Sequence, residues 1–338
     1  MRAVVIGVLL LFVLLGLPAL LSTYWIKILT ATTIFAVVAL GLNLLYGRVG
    51  LVSLGQIGLL VVGSWIAARL CFLTNLPFPV VLLLAGLFTG AVGTLIGLPA
   101  LRLSGLHLAL ITLMFAGMIS IVVPTVNFPN GGSGFLGHTE SSLGSLAVRR
   151  PSIAHDDDAF FRYAVIVAVV MFLLALAHVS SKIGRAWAVI RQSEPAALAA
   201  GVNITLYKLY AFALASFMTG VAGGLLAADQ GKLYSYQFKT IDSVTLLAVV
   251  LIGGIFSVWG AVVAGVLQKL LPALLNDWFD FFRENPDFLF VLFGIGVLQV
   301  LVTAPEGIVT QFPKDMRNLG RLILKPFRRR SGPAEGSP

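Results

Sequence analysis

Charge is scarce in this sequence: Asp, Glu, Lys and Arg together make up 11% of 338 residues, against about a quarter in soluble globular domains. That scarcity excludes a water-soluble fold. A single cysteine, Cys71, rules out an internal disulfide and any thiolate metal cage. No two histidines fall at the helical spacing of a metal site. No Gly-x-x-x-x-Gly-Lys-Ser/Thr phosphate loop occurs, so ATP is not held here by that device. No Asp or Glu precedes Glu140, and Asp229 and Asp242 flank apolar runs rather than occupying their centres. A proton- or sodium-driven carrier usually needs carboxylates inside the membrane, which argues against that class.

Long apolar runs fill the space that charge leaves: 58% of the residues are hydrophobic and the mean hydropathy is +0.98. Runs of about 17–25 apolar residues match the thickness of the hydrocarbon core. They fall at Ala3 to Leu21, Ile26 to Tyr46, Ile57 to Leu73, Val80 to Ala100, Leu106 to Val123, Phe161 to Val179, Tyr210 to Ala228, Ile241 to Ser257, Ala261 to Leu275 and Phe288 to Val302. The expected fold is all-α, a polytopic transmembrane helix bundle of about ten spans. The first run also resembles a signal peptide behind Arg2, but no small-x-small cleavage site follows before Ser22 and Thr23, so it is retained as a span.

The formal net charge of +9 follows membrane sidedness rather than a nucleic-acid-binding surface. Lys314, Arg317, Arg321, Lys325 and Arg328 to Arg330 crowd the C-terminal end, which places that end in the cytoplasm and, with ten crossings, the N-terminus beside it. Arg48, Arg102, Lys182, Arg185, Arg191 and Lys208 then fall inside, and the acidic group Asp277, Asp280, Glu284 and Asp287 outside. Lys27 and Arg69 break the pattern as isolated span-end charges that snorkel. Residues 1–312 are expected to form the transmembrane unit and 313–338 a basic cytoplasmic tail, disordered at its end.

Two connections are too long for simple turns, Pro124 to Phe160 outside and Ser180 to Leu209 inside. The outer one, with Asn127 to Gly134 and Asp156 to Asp158, reads equally as a mobile surface loop or as a segment ordered against a transport path. Gly50-Leu-Val-Ser53-Leu-Gly55 and Gly254-Ile-Phe-Ser257-Val-Trp-Gly260 form a pair of interrupted apolar stretches, one in each half of the chain. Paired interruptions point to a path, because irregular backbone at membrane depth is tolerated only where protein or a cavity surrounds it. Small-residue helix packing is the plainer alternative.

Inside the cytoplasmic loop, Ser193-Glu-Pro-Ala-Ala-Leu-Ala-Ala-Gly201 reads as a short helix capped by Ser193, with Pro195 in its first turn and Gly201 beyond its end. It is too short to span a membrane and offers small side chains to another protein. Gly184 through Gly201 resembles the EAA loop of ABC importer permeases, in the form found in the branched-chain amino-acid family. By that resemblance Arg185, Arg191, Glu194, Ala196, Ala197 and Gly201 are ATPase-coupling residues. Pro195 departs from the short Glu-Ala-Ala motif, and the one-residue-wider spacing from Glu194 to Gly201 is similar to the branched-chain form. The resemblance extends over Leu40 to Gly47, Ser53 to Gln56, Leu103 to Leu113, Leu206 to Phe212, Ala222 to Gly224, Ile252 to Gly260 and Pro305 to Gly307. Gln56 stands where relatives often carry histidine, and Leu106-His107 replaces an aromatic pair.

The resemblance implies a second homologous permease, two ABC ATPase subunits that carry the ATP and Mg, and a periplasmic solute-binding protein. It implies no cofactor in this chain. A path for an apolar amino acid should combine aliphatic walls with a few polar groups, and Asn43, Ser53, Gln56 and Ser257 are the candidates. For each, an interhelical hydrogen bond is the competing role, as packing is for His107 and His178. Urea or a small amide carried by the same architecture stays open. Gly131-Gly-Ser133-Gly134 imitates a serine-protease motif with His138 or His178 as base, but a polar loop is the wrong setting for an intramembrane nucleophile.

Overall fold

A computed structural model describes residues 12–100, 105–125, 148, 150–151, 153–231, 238–285, 288–303, 307–309 and 311. Among these residues there is helix and no strand. A π turn at Phe12–Gly16 leads into α1 (Leu17–Leu20), which is followed by α2 (Thr23–Asn43, continued by the π turn Leu44–Val49). Then come α3 (Gln56–Leu73), α4 (Phe78–Ala100), α5 (Leu106–Thr125) and α6 (Asp157–Ser180). On the next connection lie α7 (Lys182–Gln192) and α8 (Glu194–Ala199), before α9 (Ile204–Gln230). The last third holds α10 (Ile241–Gly253) and α11, which starts at Gly260–Gly265, passes a π turn at Val266–Leu270 and ends at Leu271–Trp278. Short α12 (Asp280–Glu284) and α13 (Phe288–Thr303) follow.

Four of these helices are long and apolar enough to cross a bilayer: Thr23–Val49, Phe78–Pro99, Asp157–Ser180 and Ile204–Gln230. Shorter apolar helices occupy Gln56–Cys71, His107–Val122, Ile241–Gly253 and Phe288–Val300. Each expected run other than the first coincides with a described helix, but one boundary moves. The run Ile241 to Ser257 stops being helical at Gly253, because Gly254 adopts φ +115, which a side chain would resist. Residues 1–11, the loop 126–147 with its Ser133 and His138, Arg102 and the tail 312–338 lie outside the described residues.

Helix α9 is the central post, with α2, α3 and α4 packed around it. In lipid the hydrophobic effect does not draw apolar helices together, so close backbone approach and interhelical hydrogen bonds must hold them. Small residues make that approach possible here. A β-carbon on Gly63 of α3 would lie 2.6 Å from the Gly220 Cα of α9, and one on Gly223 would lie 2.5 Å from the Leu60 carbonyl oxygen. Ser64 reinforces the seam by donating to the Gly223 carbonyl at 2.9 Å. At one end of the bundle, Asp157 accepts from Arg150 at 2.7 Å and pairs with Lys27 at 3.5 Å, so the charge of Lys27 has a local counter-ion. Arg150 also reaches the carbonyls of Ala228 and Asp229, and Val148 donates to Gly231, which ties the end of the connection between α5 and α6 to the end of α9.

Candidate functional site

Two interruptions in the helices lie at residues 50–55, before α3, and 254–259, before α11. Gly50 closes α2 with φ +84, and the chain then runs without helix until Gln56. Leu54 N–H, which lacks a helical partner, donates to the Thr112 hydroxyl of α5 at 2.8 Å. Gln56 opens α3 beside the middle of α9, where its Oε1 accepts from Thr219 at 2.7 Å. Since Thr219 lies well inside Ile204–Gln230, α3 begins at depth in the bundle rather than at its surface. This geometry is that of a discontinuous helix whose irregular lead-in is sheltered by protein.

Asn43 bridges from α2 to the other interruption, with Nδ2 donating to Ser257 O at 2.9 Å and Gly254 O at 3.2 Å. In the turn the Gly254 carbonyl accepts from Ser257 N at 3.3 Å and the Ser257 carbonyl from Gly260 N at 2.9 Å, and the amide adds a second bond to each. Asn43 is fully buried, and its Oδ1 has no hydrogen-bond partner among the described residues. Gln56 Nε2 is likewise buried without one. Ser53 is buried with its Oγ 3.4 Å from Gly55 N, a weak contact, and Ser257 is half-buried. The structure therefore joins Asn43 to Ser257 directly. Ser53 lies in the neighbouring interruption and Gln56 at its end, and their hydrogen bonds go to Gly55 and Thr219 instead.

Helices α7 and α8 cover this region on the side that carries Arg185 and Arg191. Ser193 caps α8 by accepting from Ala196 N at 3.3 Å, and Gly201 ends the turn with φ +74. Arg191 reaches away from α7 to donate to the Gly47 carbonyl at 2.8 Å, with its guanidinium 4.3 Å from the centre of the Phe256 ring. One side chain thus touches the ends of both interrupted elements. Glu194 pairs with Lys208 of α9 at 2.6 Å, where the lysine side chain is 6% exposed and the glutamate 52%. Trp187 is fully buried, donates from Nε1 to Tyr207 O at 2.9 Å and stacks on Tyr210, whose hydroxyl meets His178 Nε2 at 2.7 Å. His178 is thus a packed, hydrogen-bonded residue at the end of α6.

Of the remaining coupling candidates, Ala197 is buried against the bundle, whereas Arg185, Ala196 and Gly201 are exposed. Leu198 stands out at 63% exposed beside them. Sequence reasoning passed over Leu198, Trp187, Phe256 and Lys269. Only Lys269 carried a legible signal, a lone lysine within an apolar run. No cluster of metal-ligating side chains occurs among the described residues.

Residues 24–298 match the sequence profile of the branched-chain amino acid transport system permease component family. The chain is 30% identical over 310 residues to the high-affinity branched-chain amino acid transport system permease protein LivM of Salmonella typhimurium, covering 86% of this chain and 71% of that protein. It is 29% identical over the same length to LivM of Escherichia coli, with the same coverage. No solved structure is significantly similar to it.

Proposed function

The chain belongs to the branched-chain amino acid transport permease family, and from that premise we propose how its parts divide the work of an ATP-driven importer. It is the membrane permease subunit of an ABC importer for branched-chain amino acids, in the bacterial inner membrane. Residues 1–312 cross the bilayer about ten times with both termini inside, and 313–338 form a basic cytoplasmic tail. A second homologous permease completes the path. Two ATPase subunits bind ATP and Mg, and a periplasmic binding protein delivers the amino acid.

Helix α8 docks into the ATPase through its exposed face, where Ala196 and Gly201 let the partner approach and Leu198 fills a pocket. Arg185 orients the contact, while Arg191, Glu194 and Ala197 fasten the element to the bundle. The observation that carries this reading is the Arg191 bridge from the α7–α8 element to Gly47 and Phe256. A displacement of α8 by closing ATPases pulls on both interruptions together and biases the balance between inward and outward states. Asn43, Ser53, Gln56 and Ser257 lie where that balance changes the path.

The test is uptake of radiolabelled leucine into proteoliposomes holding this chain with its paired permease, ATPases and binding protein. Labelled urea runs beside it. Leucine uptake that stops without ATP is the expected result. Uptake of urea in its place would move the chain to the amide-carrying reading, and uptake without any ATPase would sink the importer.

A further inference from the structure

A cavity of about 100 Å³ lies between α2, α3, α9, α10 and α11, several times the roughly 10–15 Å³ that one water needs. Its polar lining comes from Gln230, Asp242, Gln268 and Lys269, and its aromatic lining from Phe35 and Phe238. Aliphatic side chains of α3 and α9 complete the wall. Lys269 sits midway along α11, and its ammonium lies 4.2 Å from the centre of the Phe35 ring, a cation–π contact. Asp242 opens α10, where one carboxylate oxygen accepts from Lys239 N at 3.3 Å. Among the described residues the two opposite charges form no direct ion pair although they face the same cavity. Gln268 Oε1 is buried there with no hydrogen-bond partner among those residues.

A charged side chain within a membrane span is costly and is kept for use. Two separated charges of opposite sign, an unsatisfied amide oxygen and aromatic walls match a small molecule that carries both charges and an apolar side chain. Resting on the importer reading above, we propose that this cavity is an intramembrane station for the amino-acid substrate. Lys269 receives its α-carboxylate, Asp242 and Gln268 Oε1 receive its α-ammonium, and Phe35 and Phe238 flank its side chain. The zwitterion neutralises both protein charges on arrival and is held by neither strongly enough to prevent release, as a path requires.

The assembled transporter, reconstituted with its binding protein, tests the proposal with Lys269→Met, Lys269→Arg and Asp242→Asn. Lys269→Met should lower leucine uptake about 10-fold, the loss expected for one charge-assisted contact, and Lys269→Arg should restore most of it. Binding-protein-stimulated ATP hydrolysis should stay within about twofold of wild type, since the site acts on the cargo and not on the ATPases. In detergent without the binding protein, millimolar leucine should raise the unfolding temperature of the wild-type complex. Leucinamide, which lacks the carboxylate, and 4-methylpentanoate, which lacks the ammonium, should not.

Should Lys269→Met fail to assemble, Asp242→Asn reads the other half of the site. It should abolish the shift by leucine while hydrolysis persists. Wild-type uptake by an assembled Lys269→Met complex, or equal protection of the wild type by leucine and leucinamide, overturns the station alone. A wild-type complex that hydrolyses ATP yet moves no leucine overturns the importer reading and the station with it.

Discussion

At Gly47 there is no room for a methyl group, since a β-carbon would collide with the carbonyl oxygen of Ile255. The contact brings the end of α2 against the second interruption, and the Arg191 hydrogen bond holds the same Gly47 carbonyl from the other side. Gly47→Ala must push these segments apart, at about 1–3 kcal/mol by analogy with overpacked cores. Thermal unfolding of the purified complex in detergent should fall accordingly, and an unchanged midpoint would deny the contact. Arg191→Lys tests the proposed coupling role, because an ammonium keeps the charge but loses the planar face that lies over Phe256. The number of leucine molecules moved per ATP should drop about 5-fold or more, while hydrolysis itself continues. Equal stoichiometry in the variant and the wild type would show that Arg191 carries no coupling.

The α7–α8 element is fastened by groups whose worth differs with exposure. Glu194 is half exposed, so its pair with Lys208 is screened and contributes on the order of 1 kcal/mol rather than the several of a fully buried pair. Removing Glu194 alone nevertheless leaves a nearly buried ammonium without that partner. Glu194→Gln should therefore destabilise more than Glu194→Gln combined with Lys208→Met, and a double-mutant cycle on thermal stability reads the difference. Gly201 has open space around it but φ +74, so a substitution there strains the backbone without a clash. Glu194→Lys combined with Gly201→Asp reverses the charge beside Lys208 and alters the exposed end of α8. The chain should still insert and assemble, with ATP hydrolysis no longer driving uptake. Wild-type uptake by that well-expressed double variant would remove α8 from the coupling pathway.

Over the whole molecule, the proposed topology makes a prediction that no single helix carries. A fluorescent protein fused after Pro338 should fluoresce, and alkaline phosphatase fused there should be inactive, because both report a cytoplasmic C-terminus. The opposite pair of results would invert the bundle and place α8 on the wrong face for an ATPase. The membrane character was open to reading because composition and run length are properties of the chain alone: 58% hydrophobic content and 11% charge admit no water-soluble packing. The capped helix after Ser193 was equally legible, since caps and a C-terminal glycine act through neighbours in sequence. The paired glycine interruptions showed in the sequence as well, but not what held them. Asn43 is more than two hundred residues from the carbonyls it bonds, and no local pattern encodes such a bond. Ile241 to Ser257 read as one continuous run because hydropathy is indifferent to φ, whereas Gly254 turns the chain at φ +115. Lys269 drew no reading within the apolar run Ala261 to Leu275, because only the packing of α2 and α10 sets Phe35 and Asp242 around one cavity with it. The sequence by itself determined the medium, the helices and the short capped helix after Ser193, all of which follow from local composition and periodicity. Only the tertiary structure decided which polar groups meet, because in lipid a buried polar side chain takes its partner from whichever helix the packing brings beside it.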